Sequence, residues 1–244
     1  MKLYSTQNPP QKRKGFLLMS NPTKKIILFA NGDLPAPERI LPQITSSDVL
    51  IAVDGGLRHC TQHNLTPNRI IGDLDSADPA EVEKFRAAGV SIDQYPPEKD
   101  ETDLELALAI ARNMGPDCIW ILGALGSRID QSLSNIFLLP RRDLAGIDLR
   151  LIDGQREVFL IRDSGRIEGS PGERVSLLPL HGPATGISTQ GLLYPLKGET
   201  LFPDQTRGIS NEMTAPFAQV TLQTGLLICI HAFNSLKNKR GSNA

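Results

Sequence analysis

Between residues 25 and 152, short apolar runs alternate with segments of helical pattern. Residues 26–30 and Val49–Val53 are two such runs, and each leads into a loop that contains Asp and Gly. Strands that are apolar on both faces are typical of a parallel sheet covered by helices. Further strands are predicted at 70–72, 91–95, 118–122 and 148–152. The pattern predicts an α/β fold that begins with a doubly wound, mostly parallel sheet and right-handed crossovers.

Helices are predicted between these strands. Asp78 and Pro79 provide an N-cap and a first-turn proline for a helix that extends to about residue 88. Apolar residues at 104, 107, 108, 111 and 114 follow the i, i+3, i+4, i+7 spacing of an amphipathic helix. Another helix follows the loop at 123–131 and extends to about residue 139.

The pattern changes after residue 152, which indicates a second domain. Gly, Pro and Thr with short apolar segments at 157–161, 174–178, 219–222 and 226–230 predict a smaller antiparallel β-domain over 153–236, after an α/β domain over 24–152. Residues 1–23 are rich in Lys, Gln, Asn and Pro, and their apolar stretch is too short for a signal-peptide core. We expect a disordered extension at 1–23, with Met19 as an alternative start, and a tail at 237–244.

Charge and cysteine content restrict the partners and the compartment. The net charge is −1 and no basic stripe is present, so we expect no nucleic-acid partner. No apolar run reaches the length of a membrane span, so we expect no membrane partner. Cys60, Cys118 and Cys229 are far apart and form no CxxC pair, which favours free thiols in a reducing cytoplasm over a disulfide framework or a zinc site.

Two carboxylates follow the predicted strand at 70–72. In an extended segment Asp73 and Asp75 point the same way, close enough to share one hard divalent cation such as Mg²⁺. The alternative is that Asp73 stabilises a turn and that Asp75 or Ser76 begins the next helix. Because Asp33 and Asp54 also follow predicted strands, several acids are expected at the carboxyl edge of one sheet, where such folds bind ligands.

Five short motifs occur in order along the chain. They are Asp-Gly-Gly at 54–56, Gly-Asp-Leu-Asp-Ser at 72–76, Lys-Asp-Glu-Thr-Asp at 99–103, the segment 123–135 and Ser-Asn-Glu at 210–212. Together they resemble the thiamin pyrophosphokinase family over about residues 24–232. The resemblance implies transfer of the pyrophosphoryl group of ATP, with Mg²⁺, to the hydroxyl of thiamine, giving thiamine diphosphate and AMP. It also implies a homodimer whose chains combine an N-terminal α/β domain with a C-terminal β-sandwich.

The resemblance assigns the acidic residues to the metal and the nucleotide. Asp73, Asp75 and Asp103 are implied to be catalytic and to bind the metal, together with Asp54. The implied ATP-binding residues are Asp54, Gly55, Asp100, Thr102, Gly123, Ser127, Arg128 and Gln131. Phosphoryl-type transfer depends on positioning and charge stabilisation, which metal-binding carboxylates and a planar guanidinium supply. Helix capping is the alternative for Asp100 and Asp103.

This chain departs from the family pattern in the segment 123–131. Ser127 stands where the family has a second glycine, and Gln131 stands where it has a histidine. Ser127 preserves a close approach to phosphate if its φ is negative, and Gln131 preserves a hydrogen-bonding side chain without a titrating group.

The implied thiamine-binding residues are Asp130, Asn135, Tyr194, Ser210 and Asn211. A helix N-cap is the alternative for Asp130, and core packing is the alternative for Tyr194. The polar loop at 206–212 is longer than a hairpin needs, and long loops in compact domains are often functional; a mobile surface loop is the alternative. His59 and His63 are expected to be structural, because no third metal ligand lies near them in sequence.

Two other functions are consistent with the α/β part. One is a pyrophosphokinase for another small alcohol, such as a hydroxymethylpterin. The other is a non-catalytic regulator that binds a nucleotide or thiamine. The Ser-Asn-Glu motif disfavours the first, and the full set of acidic residues disfavours the second.

Overall fold

A computed structural model describes residues 24–234, and the predicted extension at 1–23 and tail at 237–244 lie outside the described residues. Six parallel strands form the first part of a ten-stranded sheet, in the spatial order β6-β5-β1-β2-β3-β4. They are β1 Lys25–Phe29, β2 Val49–Val53, β3 Arg69–Gly72, β4 Ser91–Gln94, β5 Cys118–Leu122 and β6 Asp148–Ile152. All six predicted strands are therefore confirmed.

Helices cover both faces of this parallel part. They are α1 Leu57–Gln62, α2 Pro79–Ala87, α3 Asp103–Asn113 and α4 Ile129–Leu138. Along β1, Ile26 and Leu28 belong to one buried cluster, whereas Ile27 and Phe29 belong to another on the opposite face. This alternation explains why β1 reads as a continuous apolar run, since each face of the sheet has its own core.

Local signals fix where α2 and α3 begin. The Asp78 side chain accepts a hydrogen bond from the N–H of Ala80 at 2.9 Å, and Pro79 is the first residue of α2. At α3, the Thr102 hydroxyl accepts from the Glu105 N–H while the Glu105 carboxylate accepts from the Thr102 N–H. These caps satisfy backbone donors that have no partner inside the helix.

The sheet continues beyond β6 as antiparallel strands. β7 Arg156–Ile161 pairs with β6, and β14 Leu227–Ala232, β9 Arg174–Pro179 and β12 Asn211–Glu212 follow in spatial order. A second, four-stranded antiparallel sheet has the order β11 Lys197–Leu201, β10 Ala184–Gln190, β13 Phe217–Thr221 and β8 Ser164–Glu168. One buried cluster joins the two sheets, so they form a sandwich, and the predicted α/β fold with a smaller antiparallel part is confirmed.

The predicted domain boundary at 152/153 falls between two paired strands. Leu151 pairs with Val158 and Ile152 pairs with Glu157, so one continuous sheet connects the α/β part to the sandwich. The three cysteines are free and buried, as expected. In the described part of the chain, no helix is long and apolar enough to cross a membrane.

Candidate active site

Three carboxylates meet at the carboxyl edge of the parallel strands. Asp54 follows β2, Asp73 follows β3, and Asp103 is the first residue of α3, which follows β4. One carboxylate oxygen from each lies within 4.8 Å of the others. We call these three residues the acidic cluster. The strand-end argument predicted Asp54 and Asp73 at this edge of the sheet, and the resemblance added Asp103 to them.

The backbone of Asp54 is held in an uncommon conformation. Its φ is +48°, in the left-handed region that few residues other than glycine adopt. Its Oδ1 atom is buried and has no hydrogen-bond partner among the described residues. A buried carboxylate oxygen without a donor is unfavourable unless a cation contacts it.

Asp75 does not join the acidic cluster, contrary to the expectation from alternating side chains. The extended segment ends at Gly72, because Leu74 has a φ of +67° and turns the chain. Asp75 is exposed, and its carboxylate accepts a hydrogen bond from the Ser76 hydroxyl at 3.0 Å. Its N–H donates to Asp73 Oδ1 at 3.1 Å, so Asp75 orients the Asp73 carboxylate through its backbone.

Thr102, rather than either neighbouring acid, caps α3. Asp103 lies in the first turn of α3, where an acid complements the helix dipole, so this alternative agrees with the structure for Asp103 but not for Asp100, which precedes the helix. The Thr102 side chain predicted to bind ATP is occupied by the cap. Asp100 is exposed and lies outside the acidic cluster. Burial raises the pKa of Asp103, and the charges of Asp73 and Asp54 act in the same direction against the opposing effect of Lys99.

Lys99 is the residue of this site that the sequence interpretation missed. Its Nζ lies 3.1 Å from Asp103 Oδ1 and 3.6 Å from Asp73 Oδ2. Burial lowers the pKa of Lys99, but its contacts with Asp103 and Asp73 outweigh that effect and raise it. The pKa of Asp73 is lowered, first by the hydrogen bond from the Asp75 backbone and then by Lys99. The i, i+4 spacing of Lys99 and Asp103 was the available signal.

The donor set of the acidic cluster fits a hard divalent cation. Mg²⁺ binds oxygen ligands, commonly one or two carboxylates together with substrate phosphates. Three converging carboxylates and the unpartnered Asp54 Oδ1 supply such oxygens.

The loop after β5 lies beside the end of β1. Gly123 has a φ of +68°, and a Cβ there would lie 2.4 Å from the carbonyl oxygen of Ala30, so this position requires glycine. Gly55 is similarly crowded, since a Cβ would lie 2.4 Å from Asn31 Nδ2. Both glycines predicted to bind ATP therefore also have a packing role.

Side chains at the start of α4 are exposed, among them Ser127 and Gln131. Arg128 Nη2 pairs with Asp130 Oδ2 at 2.5 Å, which joins the residue predicted to bind ATP to one predicted to bind thiamine. The N-cap of α4 is Arg128, so capping does not explain Asp130. Asn135 donates its side-chain amide to the carbonyl of Ala124 at 2.7 Å and so holds the loop against the helix.

Two side chains of α1 hold the loop after β1; the sequence interpretation missed Arg58, whereas it expected His59 to be structural. Arg58 Nη2 donates to the carbonyl oxygens of Asn31 and Gly32, both at 2.8 Å. His59 Nε2 lies 2.9 Å from the Gly32 carbonyl, and burial lowers the pKa of this imidazole. His59 therefore positions a loop.

Three residues predicted to bind thiamine lie together in the sandwich. The buried Asn211 side chain accepts from the Tyr194 N–H at 3.0 Å and donates to the Tyr194 carbonyl at 2.7 Å. Tyr194 itself is 58% exposed, so core packing is excluded for its ring. Ser210 is exposed and donates its N–H to Ser176 Oγ at 3.0 Å.

This group is far from the acidic cluster of the same chain. Asn211 lies in β12, and six strands separate β12 from β2 in the ten-stranded sheet. At about 4.8 Å between neighbouring strands, that separation amounts to roughly 34 Å along the sheet. The acidic cluster and the group around Asn211 therefore do not form one site within a single chain.

Comparison with known proteins identifies the family. Residues 42–150 match the thiamin pyrophosphokinase catalytic domain, and residues 164–227 match the thiamin pyrophosphokinase vitamin B1 binding domain. Thiamine pyrophosphokinase from Bacillus subtilis is 31% identical over 215 residues, which cover 86% of this chain and 99% of that protein.

Solved structures agree with this match. The crystal structure of thiamine pyrophosphokinase from Bacillus subtilis superposes with a TM-score of 0.78 at 29% identity, covering 86% of this chain and 99% of that one. Thiamin pyrophosphokinase from Geobacillus thermodenitrificans shares the fold, with a TM-score of 0.74 at 24% identity over 87% and 98% of the two chains. This chain is a member of the thiamin pyrophosphokinase family, because it matches both family domains and aligns with 99% of the length of the Bacillus subtilis relative.

Proposed function

We propose that the protein is a thiamine diphosphokinase, which transfers the pyrophosphoryl group of ATP to the hydroxyl of thiamine. A bond forms between the thiamine hydroxyl oxygen and the β-phosphorus, the bond from that phosphorus to the α,β-bridging oxygen breaks, the hydroxyl proton is released, and AMP leaves with the bridging oxygen. The observation that carries the proposal is the acidic cluster, which lies within the matched catalytic domain. The matched vitamin B1 binding domain favours thiamine over a pterin alcohol as the acceptor.

We assign the metal site to Asp54, Asp73 and Asp103, with Asp75 at its edge. A bound Mg²⁺ supplies positive charge for the phosphate oxygens in the transition state. The chain itself supplies the phosphate-binding surface. Exposed Arg128 offers a planar fork for phosphate oxygens, and Ser127 and Gln131 add hydrogen-bonding side chains beside it.

Use of Arg128 and Asp130 for two different substrates requires their ion pair to open. Both side chains are about two-thirds exposed, at 66% and 65%, so the pair is solvated. Exposed pairs of this kind contribute roughly 0–1 kcal/mol, which substrate contacts readily replace. Arg128 and Asp130 can therefore separate at little cost, and each can then bind its own substrate.

The site is completed by a second copy of the chain. Because about 34 Å of sheet separates Asn211 from the acidic cluster, a thiamine held near Tyr194 and Asn211 meets the metal only if it belongs to the partner subunit. A two-fold dimer would form two such shared sites. An exposed apolar stripe on α4 supports this association, since Ile129, Leu133 and Phe137 are 74%, 48% and 55% exposed at i, i+4, i+8 spacing.

We also propose a cytoplasmic location. The three buried thiols are free, and burial raises the pKa of Cys60 and of Cys118 to about 12, which keeps both protonated and unreactive. Free thiols suit a reducing compartment.

An end-point assay tests the proposed reaction. The protein is incubated with MgCl₂, ATP and thiamine, and the nucleotide and thiamine products are separated by chromatography. We expect AMP and thiamine diphosphate in equal amounts. Formation of ADP, or AMP release that does not depend on thiamine, would refute the proposal.

A further inference from the structure

Lys99 lies inside the acidic cluster. Its ammonium donates to the Pro96 carbonyl at 3.0 Å, in addition to the ion pairs with Asp103 Oδ1 at 3.1 Å and Asp73 Oδ2 at 3.6 Å. The Lys99 side chain is 12% exposed. The ammonium therefore makes one hydrogen bond and two ion pairs, because Asp73 Oδ2 lies beyond hydrogen-bond distance and the buried Asp103 Oδ1 has no hydrogen-bond partner among the described residues. The ion pairs hold Lys99 by charge alone.

The charge of the cluster explains why a cation is held there. Three carboxylates whose oxygens lie within 4.8 Å of one another repel strongly when no positive charge is near. Lys99 compensates for part of this repulsion, and lysine remains charged at neutral pH. Asp54 Oδ1 nonetheless has no hydrogen-bond partner among residues 24–234, so the compensation by Lys99 is incomplete.

A divalent cation would compete with Lys99 for the same oxygens. Asp73 Oδ1 already accepts the Asp75 N–H, which leaves Oδ2, the atom that faces Lys99, as the freer ligand. Mg²⁺ binds its oxygens at about 2.1 Å, so it needs the lone pairs that now face the ammonium. The two positive charges would also repel each other at this distance.

We infer that Lys99 is a resident counter-ion of the acidic cluster and that a divalent cation displaces its ammonium from Asp73 and Asp103. This inference rests on the proposed role of the cluster as the metal site. Lys99 belongs to the loop between β4 and α3, and its flexible four-carbon stem allows the ammonium to move without a change in the sheet. The displaced ammonium remains at the edge of the site, where phosphate oxygens of the nucleotide are suitable partners.

Thermal unfolding of the full chain without substrates provides the first test. Lys99→Met leaves the carboxylates uncompensated, so in EDTA its melting temperature should fall below that of the wild type by roughly 2–8 °C. With MgCl₂ the deficit should shrink, because Mg²⁺ replaces the missing charge. Lys99→Arg preserves the charge and should restore the melting temperature in EDTA. Lys84→Met, which removes an exposed lysine of α2, is the matched control and should behave as the wild type.

Calorimetric titration with MgCl₂ alone separates a counter-ion from a merely structural lysine. Removing the competing charge should tighten Mg²⁺ binding to Lys99→Met by roughly tenfold or more. A structural lysine would lower stability in both buffers without tightening Mg²⁺ binding. Equal affinity in the wild type and Lys99→Met would overturn the inference while leaving the metal site and the proposed reaction standing. Absence of Mg²⁺ binding to both proteins would overturn the inference and the metal assignment together, whereas the reaction is tested separately by AMP formation.

Amine acetylation followed by peptide mass spectrometry tests displacement directly. In EDTA, Lys99 should be protected; with MgCl₂, its acetylation should rise several-fold. Lys25, which is 9% exposed and pairs with Asp48 at 3.1 Å, is the internal reference and should stay protected in both buffers. Unchanged labelling of Lys99 under conditions in which calorimetry shows bound Mg²⁺ would overturn the displacement.

Discussion

Gly72 places the end of β3 directly against Asp54 at the end of β2. A Cβ on Gly72 would lie 3.0 Å from the Asp54 Cβ and 3.1 Å from its Cα. Gly72 has a φ of +152°, which side chains rarely adopt. This glycine therefore allows the two strand ends to approach closely enough for their aspartates to converge.

Gly72→Ala should damage the acidic cluster as well as the fold. The new methyl group would strain the backbone at residue 72 and push Asp54 away, lowering the free energy of unfolding by about 1–3 kcal/mol. Binding of Mg²⁺ should weaken at the same time. Gly89→Ala is the matched control, because Gly89 also has a positive φ, +81°, but nothing lies within 4 Å of its added Cβ. Urea denaturation and Mg²⁺ titration of both variants check this, and a variant Gly72→Ala with normal Mg²⁺ affinity would contradict it.

Asp54→Asn should affect stability and function in opposite directions. The substitution removes a charge whose Oδ1 is buried without a hydrogen-bond partner and which lies near two other carboxylates. In EDTA we therefore expect the free energy of unfolding to rise by about 1 kcal/mol. Stabilisation by MgCl₂ should be lost and turnover should fall at least 100-fold, since a metal ligand is missing. A fall in stability in EDTA would argue against uncompensated repulsion.

Substitution of the other carboxylates should distinguish the metal ligands of the acidic cluster from Asp75 at its edge. Asp73→Asn and Asp103→Asn should each lower turnover by roughly two to three orders of magnitude and abolish stabilisation by MgCl₂. Asp75→Asn should also lower turnover but preserve that stabilisation, because the Asp75 backbone N–H still orients Asp73. Melting curves with MgCl₂ or EDTA check these effects. Loss of the Mg²⁺ effect in Asp75→Asn would place its carboxylate among the metal ligands.

The sequence predicted the convergence of Asp54 and Asp73 because both follow buried parallel strands, whose carboxyl ends lie at one edge of a sheet. The sequence mispredicted the direction of the Asp75 side chain, because the prediction assumed an extended chain from residue 73 to residue 75. Leu74 instead adopts a left-handed conformation that leucine rarely takes. Lys99 was missed because a lysine among acids normally indicates a solvated helix start. Its burial depends on β3 and α3 together, which no local pattern shows.

The antiparallel part was predicted less completely than the parallel part. The short apolar segments at 157–161, 174–178, 219–222 and 226–230 predicted β7, β9, β13 and β14. β8, β10 and β11 carry alternating or polar patterns with Gly, and they were not recognised. Pairing of β6 with β7 was also not foreseen, because it is a tertiary contact that depends on the direction in which the chain returns after Gly154. Gly154 has a φ of +82° at this turn.

The free energy of unfolding should decrease in acid, because the buried carboxylate of Glu157 becomes protonated. Burial pushes the pKa of Glu157 upward, but the hydrogen bond from His231 and the pairing with Arg150 outweigh it and hold the pKa below its usual value. A carboxylate whose pKa is lower in the folded state stabilises the fold above its unfolded pKa of about 4.3. This contribution should be lost as the pH falls through the folded pKa.

Urea denaturation between about pH 3 and pH 7 measures this contribution. Glu157→Gln should be less stable than the wild type at neutral pH by about 3–5 kcal/mol, because Arg150 and His231 lose a buried partner. The difference between the two proteins should narrow as the pH falls below 4, since the wild-type carboxylate becomes protonated. Glu199→Gln is the control, because Glu199 pairs with Arg207 at the surface and should show little change at neutral pH. A constant difference at every pH would show that ionisation of Glu157 is not involved.

A shared site predicts that two inactive variants complement each other. Asp73→Asn disables the metal side, and Asn211→Ala removes the side chain that fixes the backbone of Tyr194 on the thiamine side. Each homodimer then has two damaged sites. In a mixed dimer, one site collects both defects and the other collects neither. With random exchange half of the dimers are mixed, so about a quarter of wild-type activity should return.

To test this, the two variants are refolded together at equal concentration and thiamine diphosphate formation is measured. Native mass spectrometry counts the mixed dimers. Mixing each variant with itself controls for the effect of refolding, and circular dichroism checks that Asn211→Ala retains the sandwich. If mixed dimers form but activity stays at the level of the separate variants, the site is built within one chain or Asn211 does not belong to it. Recovery of activity would instead show that the two subunits share the site. Roughly 34 Å of sheet separates β12 from β2, so one chain cannot place both groups on one thiamine, and the partner subunit must supply one of them.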